Sequence, residues 1–136
     1  MPIISSISSS IVFISAVKAV TLTGSERAGA AVAELSGKYI KKTLLELGGN
    51  NAFIVWEDAD IDKAVQTAIT ARMLNCGQSC IAAKRFILLE GIYDEFVAKF
   101  TKAVSELQSG DPINEETQVG PLARKDLADQ LQKQVS

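Results

Sequence analysis

Two residues of this 136-residue chain have a type and setting that suit covalent or proton-transfer chemistry: Cys80 and Glu46. The sequence contains no His, which removes Ser-His-Asp and Cys-His arrangements and every His-containing zinc site. Two Cys cannot complete a tetrahedral thiolate site either, so no metal centre is expected. Catalysis would have to run on thiol, carboxylate, amine or hydroxyl groups. Cys80 follows Gly77-Gln78-Ser79, just past the end of a helical pattern. A thiol at such a chain reversal, near the N-terminal end of a short helical turn, has its thiolate favoured by backbone dipoles. The competing reading is a plain one, because most free cysteines are inert core residues. Cys76 has only its proximity to Cys80 and reads as a packing neighbour.

Glu46 interrupts the apolar run Leu44-Leu45-Glu46-Leu47. Strand alternation puts Lys42, Leu44 and Glu46 on one face, which fits a solvated face. Pressed against apolar walls, the same carboxylate would suit a general base, and with no His a carboxylate must fill that role. Gly48-Gly49 then permits close approach of backbone or ligand. A third segment, Gly24-Ser-Glu-Arg-Ala-Gly29, lies between a strand pattern and a helix pattern. Amides and the helix dipole there can hold a phosphate. The spacing is neither GxGxxG nor a Walker A motif, and a tight turn with an N-cap explains it equally well.

The elements that must position these groups alternate along the chain. Ala19–Thr23 reads as a strand, and residues 25–38 as a helix with Ala28, Ala31, Val32 and Leu35 on its apolar face. Thr23 or Ser25 can cap this helix, and Thr23 with Glu26 fits a capping box. Residues 42–47 and 52–56 read as two further strands. Asp58-Ala-Asp60 opens a helix to about Leu74, its acidic start suited to the positive end of the dipole. Residues 85–89 form a fourth strand, and Tyr93 to Leu107 a helix striped by Phe96, Val97, Phe100, Val104 and Leu107. A polar loop over 109–121 leads to a last helix ending near Val135. This alternation predicts a three-layer α/β architecture with a parallel sheet.

Composition narrows the partners. The net charge is −2 and no Lys/Arg run is longer than Lys41-Lys42, so there is no electrostatic reason to bind nucleic acid. Sparse cysteines point to a reducing, cytoplasmic compartment. The Ser-rich first 17 residues lack a basic n-region and are too short and polar to span a membrane. A strand or a poorly ordered tail is expected there.

Taken together, the three segments resemble the aldehyde dehydrogenase superfamily. Leu45-Glu46-Leu47-Gly48-Gly49 is similar to its glutamate signature, and Asn75-Cys76-Gly77-Gln78-Ser79-Cys80 to its N-x-G-Q-x-C signature. The 34 positions from Glu46 to Cys80 equal the family separation. Thr23-Gly24-Ser25, closing at Gly29, is similar to the T-G-S-x-x-x-G turn. Ser25–Gly29, Ala82–Phe86 and Val119–Arg124 are most similar to the succinate-semialdehyde dehydrogenase branch.

The resemblance implies NAD- or NADP-dependent oxidation of an aldehyde to a carboxylic acid. Cys80 would be the nucleophile and Glu46 the base that activates water. Gly24 and Ser25 would lie by the cofactor pyrophosphate, Gly29 would allow close packing, and Leu47-Gly48 would sit near the nicotinamide. Family members are several times longer, and their oxyanion asparagine, ribose-binding residues and oligomerisation hairpin have no counterpart here. The implied domains are therefore 18–47, the end of a cofactor-binding Rossmann-like domain, and 48–136, the first part of a catalytic domain. Residues 1–17 match neither. A sheet cut in this way leaves strand edges open to further copies of the chain or to partner chains. Two other readings stay open: a truncated, non-catalytic interaction module, and a thiol redox protein using Cys76 and Cys80.

Overall fold

The computed structural model describes residues 12–136 and divides into two compact units, Met1–Gly49 and Asn50–Ser136. In the first unit, β1 (Ala19–Thr23) and β2 (Lys42–Glu46) pair in parallel, from Ala19 opposite Lys42 to Thr23 opposite Glu46. Parallel neighbours need a crossover, and α1 (Glu26–Lys38) supplies it. Ser25 starts α1 by accepting a hydrogen bond from the Ala28 N–H at 3.2 Å. Thr23 is the last residue of β1, so the Thr23–Glu26 capping box does not form.

Helix α1 buries Gly29, Val32 and Ser36, while Ala31 is exposed. The inward stripe thus runs through Gly29 and Ser36, small residues that a count of apolar side chains passes over. Residues 12–17 contain no strand, although Val12 is buried at 1% exposure. The rest of the expected strand or tail, residues 1–11, lies outside the described residues.

In the second unit, β3 (Asn51–Val55) pairs in parallel with β4 (Ala83–Leu88), and α2 (Ile61–Met73) is the crossover. A 3-10 turn, Leu74–Gly77, follows α2 directly. Two more helices complete the unit, α3 (Glu90–Ser105) and α4 (Lys125–Val135). Val55, Val65, Ala68, Ile92 and Phe96 form the buried core. Phe86 stands between Phe53, Phe96 and Phe100, with ring centroids 5.6, 6.5 and 5.1 Å away. Helix α3 begins three residues before Tyr93, which brings Ile92 into the core. Its expected stripe is narrower than the spacing suggests: Val97 is 38% exposed, and Leu107 lies past the helix end.

The class is α/β with parallel strands, in two separate two-stranded sheets. In the second unit the pleat divides the strands cleanly, with Val55 buried and Ile54 64% exposed. The register slips between Asn51, opposite Ala83, and Ala52, opposite Arg85, so Lys84 is the extra residue of a β-bulge.

Asp60 caps α2 by accepting from the Lys63 N–H at 3.1 Å. Asp60→Ala is expected to lower stability by about 1 kcal/mol, read as a shifted urea midpoint at unchanged slope.

Candidate active site

Helix α2 is broken by backbone conformation. Asn75 (φ 51°), Cys76 (φ 55°) and Gly77 (φ 76°) lie consecutively in the left-handed region. Asn and Gly enter that region cheaply, whereas Cys76 does so at a cost of about 1 kcal/mol or more. The reversed chain delivers a turn from Ser79 to Ala82, closed by the Ala82 N–H donating to the Ser79 carbonyl at 3.2 Å. Cys80 occupies the tip of that turn and is exposed; Cys76 is half-buried, and the two thiols are free. The 3-10 turn therefore precedes Cys80 rather than starting at it, and no helical N-terminus lies under the thiol.

Side chains hold this loop at several points. Arg72, in the last turn of α2, donates to the Gly77 carbonyl at 3.2 Å and to the Ala83 carbonyl at 3.0 Å. Gln78 accepts from the Ala123 N–H at 2.9 Å and donates to the Asn75 carbonyl at 3.3 Å. A Cβ at Gly77 would lie 2.7 Å from Arg72 Nη2. Gly77→Ala therefore adds left-handed strain to a displaced guanidinium, and should cost roughly 1–2 kcal/mol. The check is hydrogen exchange, which should speed up selectively over residues 77–83.

In the first unit the structure gathers the other predicted residues at one end of β1 and β2. The Gly24 N–H donates to the Glu46 carbonyl at 2.9 Å, tying the two strand ends together. Gly24, Ser25, Glu46 and Gly48 are exposed. The Glu46 side chain thus sits on the solvated face that strand alternation allows and, among the described residues, not against apolar walls. Gly29 lies under Leu47: a Cβ there would be 2.7 Å from Leu47 Cδ2. Only a residue without a side chain lets α1 come this close, and the approach sets Leu47-Gly48 beside the helix. Glu46 belongs to the first unit and Cys80 to the second.

Arg72, Gln78 and Lys84 were not singled out from the sequence as holding the loop. Their bonds run to backbone carbonyls and, for Gln78, also to the Ala123 N–H, groups that leave no residue-type signature. The bulge at Lys84 has none either. Among the described residues no group of three or more potential metal ligands occurs, and no helix is long and apolar enough to cross a membrane.

The family model for the aldehyde dehydrogenase family matches residues 4–136. The chain belongs to the aldehyde dehydrogenase family. Its match begins within the Ser-rich N-terminal segment. Among curated proteins, the chain is 56% identical over 119 residues to succinate-semialdehyde dehydrogenase [NADP(+)] 1 of Mycobacterium ulcerans (strain Agy99). That match covers 88% of this chain and 26% of the relative. The Mycobacterium leprae (strain TN) succinate-semialdehyde dehydrogenase [NADP(+)] is likewise 56% identical, over the same shares of each chain. The chain thus spans about a quarter of the length of the curated relatives it matches.

Among solved structures, succinic semialdehyde dehydrogenase from Streptococcus pyogenes, in complex with NADP+, superposes with a TM-score of 0.87 at 42% identity. The superposition covers 93% of this chain and 28% of that one. Succinate-semialdehyde dehydrogenase from Burkholderia pseudomallei gives 0.85 at 36% identity, over 95% and 27%.

Proposed function

We propose that the chain is the nucleophile-bearing part of a cytoplasmic, NADP-dependent aldehyde dehydrogenase that oxidises succinate semialdehyde to the acid. The observation that carries this reading is Cys80 exposed at the tip of a side-chain-anchored turn, in a segment that keeps the family's cysteine signature. Residues 18–47 are the end of its cofactor-binding domain and residues 48–136 the start of its catalytic domain.

Cys80 Sγ, as thiolate, adds to the aldehyde carbon, and the carbonyl oxygen becomes the oxyanion of a thiohemiacetal. The Cys80 N–H is one donor to that oxygen. NADP+, when bound, supplies the acceptor for the hydride whose departure leaves a thioester on Cys80. Glu46 takes a proton from water as it adds to the thioester, and the Cys80 thiolate then leaves. The residues present fit part of a dinucleotide. Gly24 and Ser25 are exposed at the start of a 13-residue helix, where amides favour a pyrophosphate. Gly29 keeps Leu47-Gly48 close to that helix, as a nicotinamide-side wall requires.

The test is a chimera in which residues 20–136 replace the matching segment of the Mycobacterium ulcerans relative. Succinate-semialdehyde-dependent NADPH formation at a rate comparable to the parent supports the proposal. A folded chimera that binds NADP+ and turns over no aldehyde sinks it, and leaves the non-catalytic module as the reading.

A further inference from the structure

The Cys80 turn is polarised by one side chain. Lys84 Nζ donates to the Cys80 carbonyl at 3.0 Å, the Ser79 carbonyl at 3.3 Å and the Ala82 carbonyl at 3.4 Å. Lys84 can reach back because it is the bulged residue of β4, and bulges re-aim the side chain they insert. No peptide bond among the described residues is cis. In a planar trans peptide the C=O and N–H point in opposite directions. Drawing the Ser79 and Cys80 carbonyls to one ammonium therefore turns the N–H groups of Cys80 and Ile81 away from it. Neither N–H has a hydrogen-bond partner among the described residues, and both residues are exposed. The turn consequently has a carbonyl side, neutralised by a cation, and an amide side open to an anion.

We propose that Lys84 is a positioning residue that fixes the Cys80 and Ile81 amides as donors to the oxygen becoming anionic when Cys80 attacks a carbonyl. This rests on Cys80 being the nucleophile, and it adds the device that preorganises the oxyanion donors. Preorganised donors stabilise charge as it develops, and a donor free to rotate loses most of that effect.

Two thiol reactions of the full chain separate this role from a merely structural one, and neither needs a cofactor. Acylation by 4-nitrophenyl acetate forms an Sγ–C bond and breaks the ester C–O bond through a tetrahedral oxyanion, releasing 4-nitrophenolate. Alkylation by iodoacetamide displaces iodide at a saturated carbon and passes through no oxyanion. With labelling at Cys80 verified by peptide mass, Lys84→Met should slow acylation by roughly tenfold or more and leave alkylation within about twofold. Lys84→Arg, which can still donate to several carbonyls, should recover most of the acylation rate. Lys84→Gln serves as a second variant should the methionine disturb folding, and it should fall between the two.

Acylation and alkylation slowing together would overturn the proposal, since Lys84 would then act on the thiol or on the fold. So would unchanged acylation in both Lys84→Met and Lys84→Gln. A wild-type chain alkylated but never acylated at Cys80 would instead overturn the reading of Cys80 as an acyl-accepting nucleophile, and the positioning role with it.

Discussion

Cys80→Ala, introduced into the chimera, is expected to remove aldehyde-dependent NADPH formation by a factor on the order of 10⁴ or more, the scale on which loss of a covalent nucleophile acts. Stability should barely move. Cys80 is exposed and its side chain makes no hydrogen bond, so its truncation belongs with surface changes worth within about 0.5 kcal/mol. The contrast with Glu46→Gln tests the division of labour. Removing a general base costs roughly 10²–10⁴ in the step it serves. That step follows hydride departure, so Glu46→Gln should still release about one NADPH per site in a rapid burst before turnover stalls. Cys80→Ala should show no burst. A full burst in Cys80→Ala, or an unchanged steady state in Glu46→Gln, would remove that residue from its proposed role.

The largest stability effect is expected at Phe96. Its ring is 1% exposed, 5.7 Å by centroid from Phe100 and 6.5 Å from Phe86. Phe96→Ala removes buried area and leaves a void among residues fixed by two helices and two strands, at a cost of about 3–5 kcal/mol. That is a large fraction of the total for a small domain, typically about 5–15 kcal/mol. The single Trp of the chain, Trp56, follows β3 in the same unit, so its fluorescence is a local probe of the loss. Phe96→Leu, which keeps most of the volume, should cost less than about half as much.

The pattern of elements was legible because apolar spacing and turn residues carry it. β1 follows from its residue pattern, and the acidic start of α2 at Asp60 from the positive end of the helix dipole. Boundaries moved by up to three residues, as at Glu90, where the helix begins before its apolar stripe does. The candidate site was legible in its chemical groups and not in its supports. A thiol behind Gly-Gln-Ser is visible as residue types. Arg72 and Lys84 are not, because their partners are carbonyls that every residue carries. The bulge that turns Lys84 toward Cys80 depends on how two strands slide against each other, and one strand alone holds no record of that. The misplaced α1 stripe has a simpler cause: Gly29 and Ser36 are buried for their small size, a property that hydrophobicity does not score.

Cys76 has a practical meaning for anyone altering this chain. Its left-handed backbone favours asparagine or glycine, so a Cβ-bearing thiol is a costly occupant of the position. Cys76→Asn would keep a side chain beside Gly120, where Sγ now lies 3.6 Å from the point a Cβ would occupy. It would also leave Cys80 as the sole sulfhydryl of a two-cysteine sequence. The strained corner beside Cys80 is thus the place where the protein can be left with a single thiol without spending its stability.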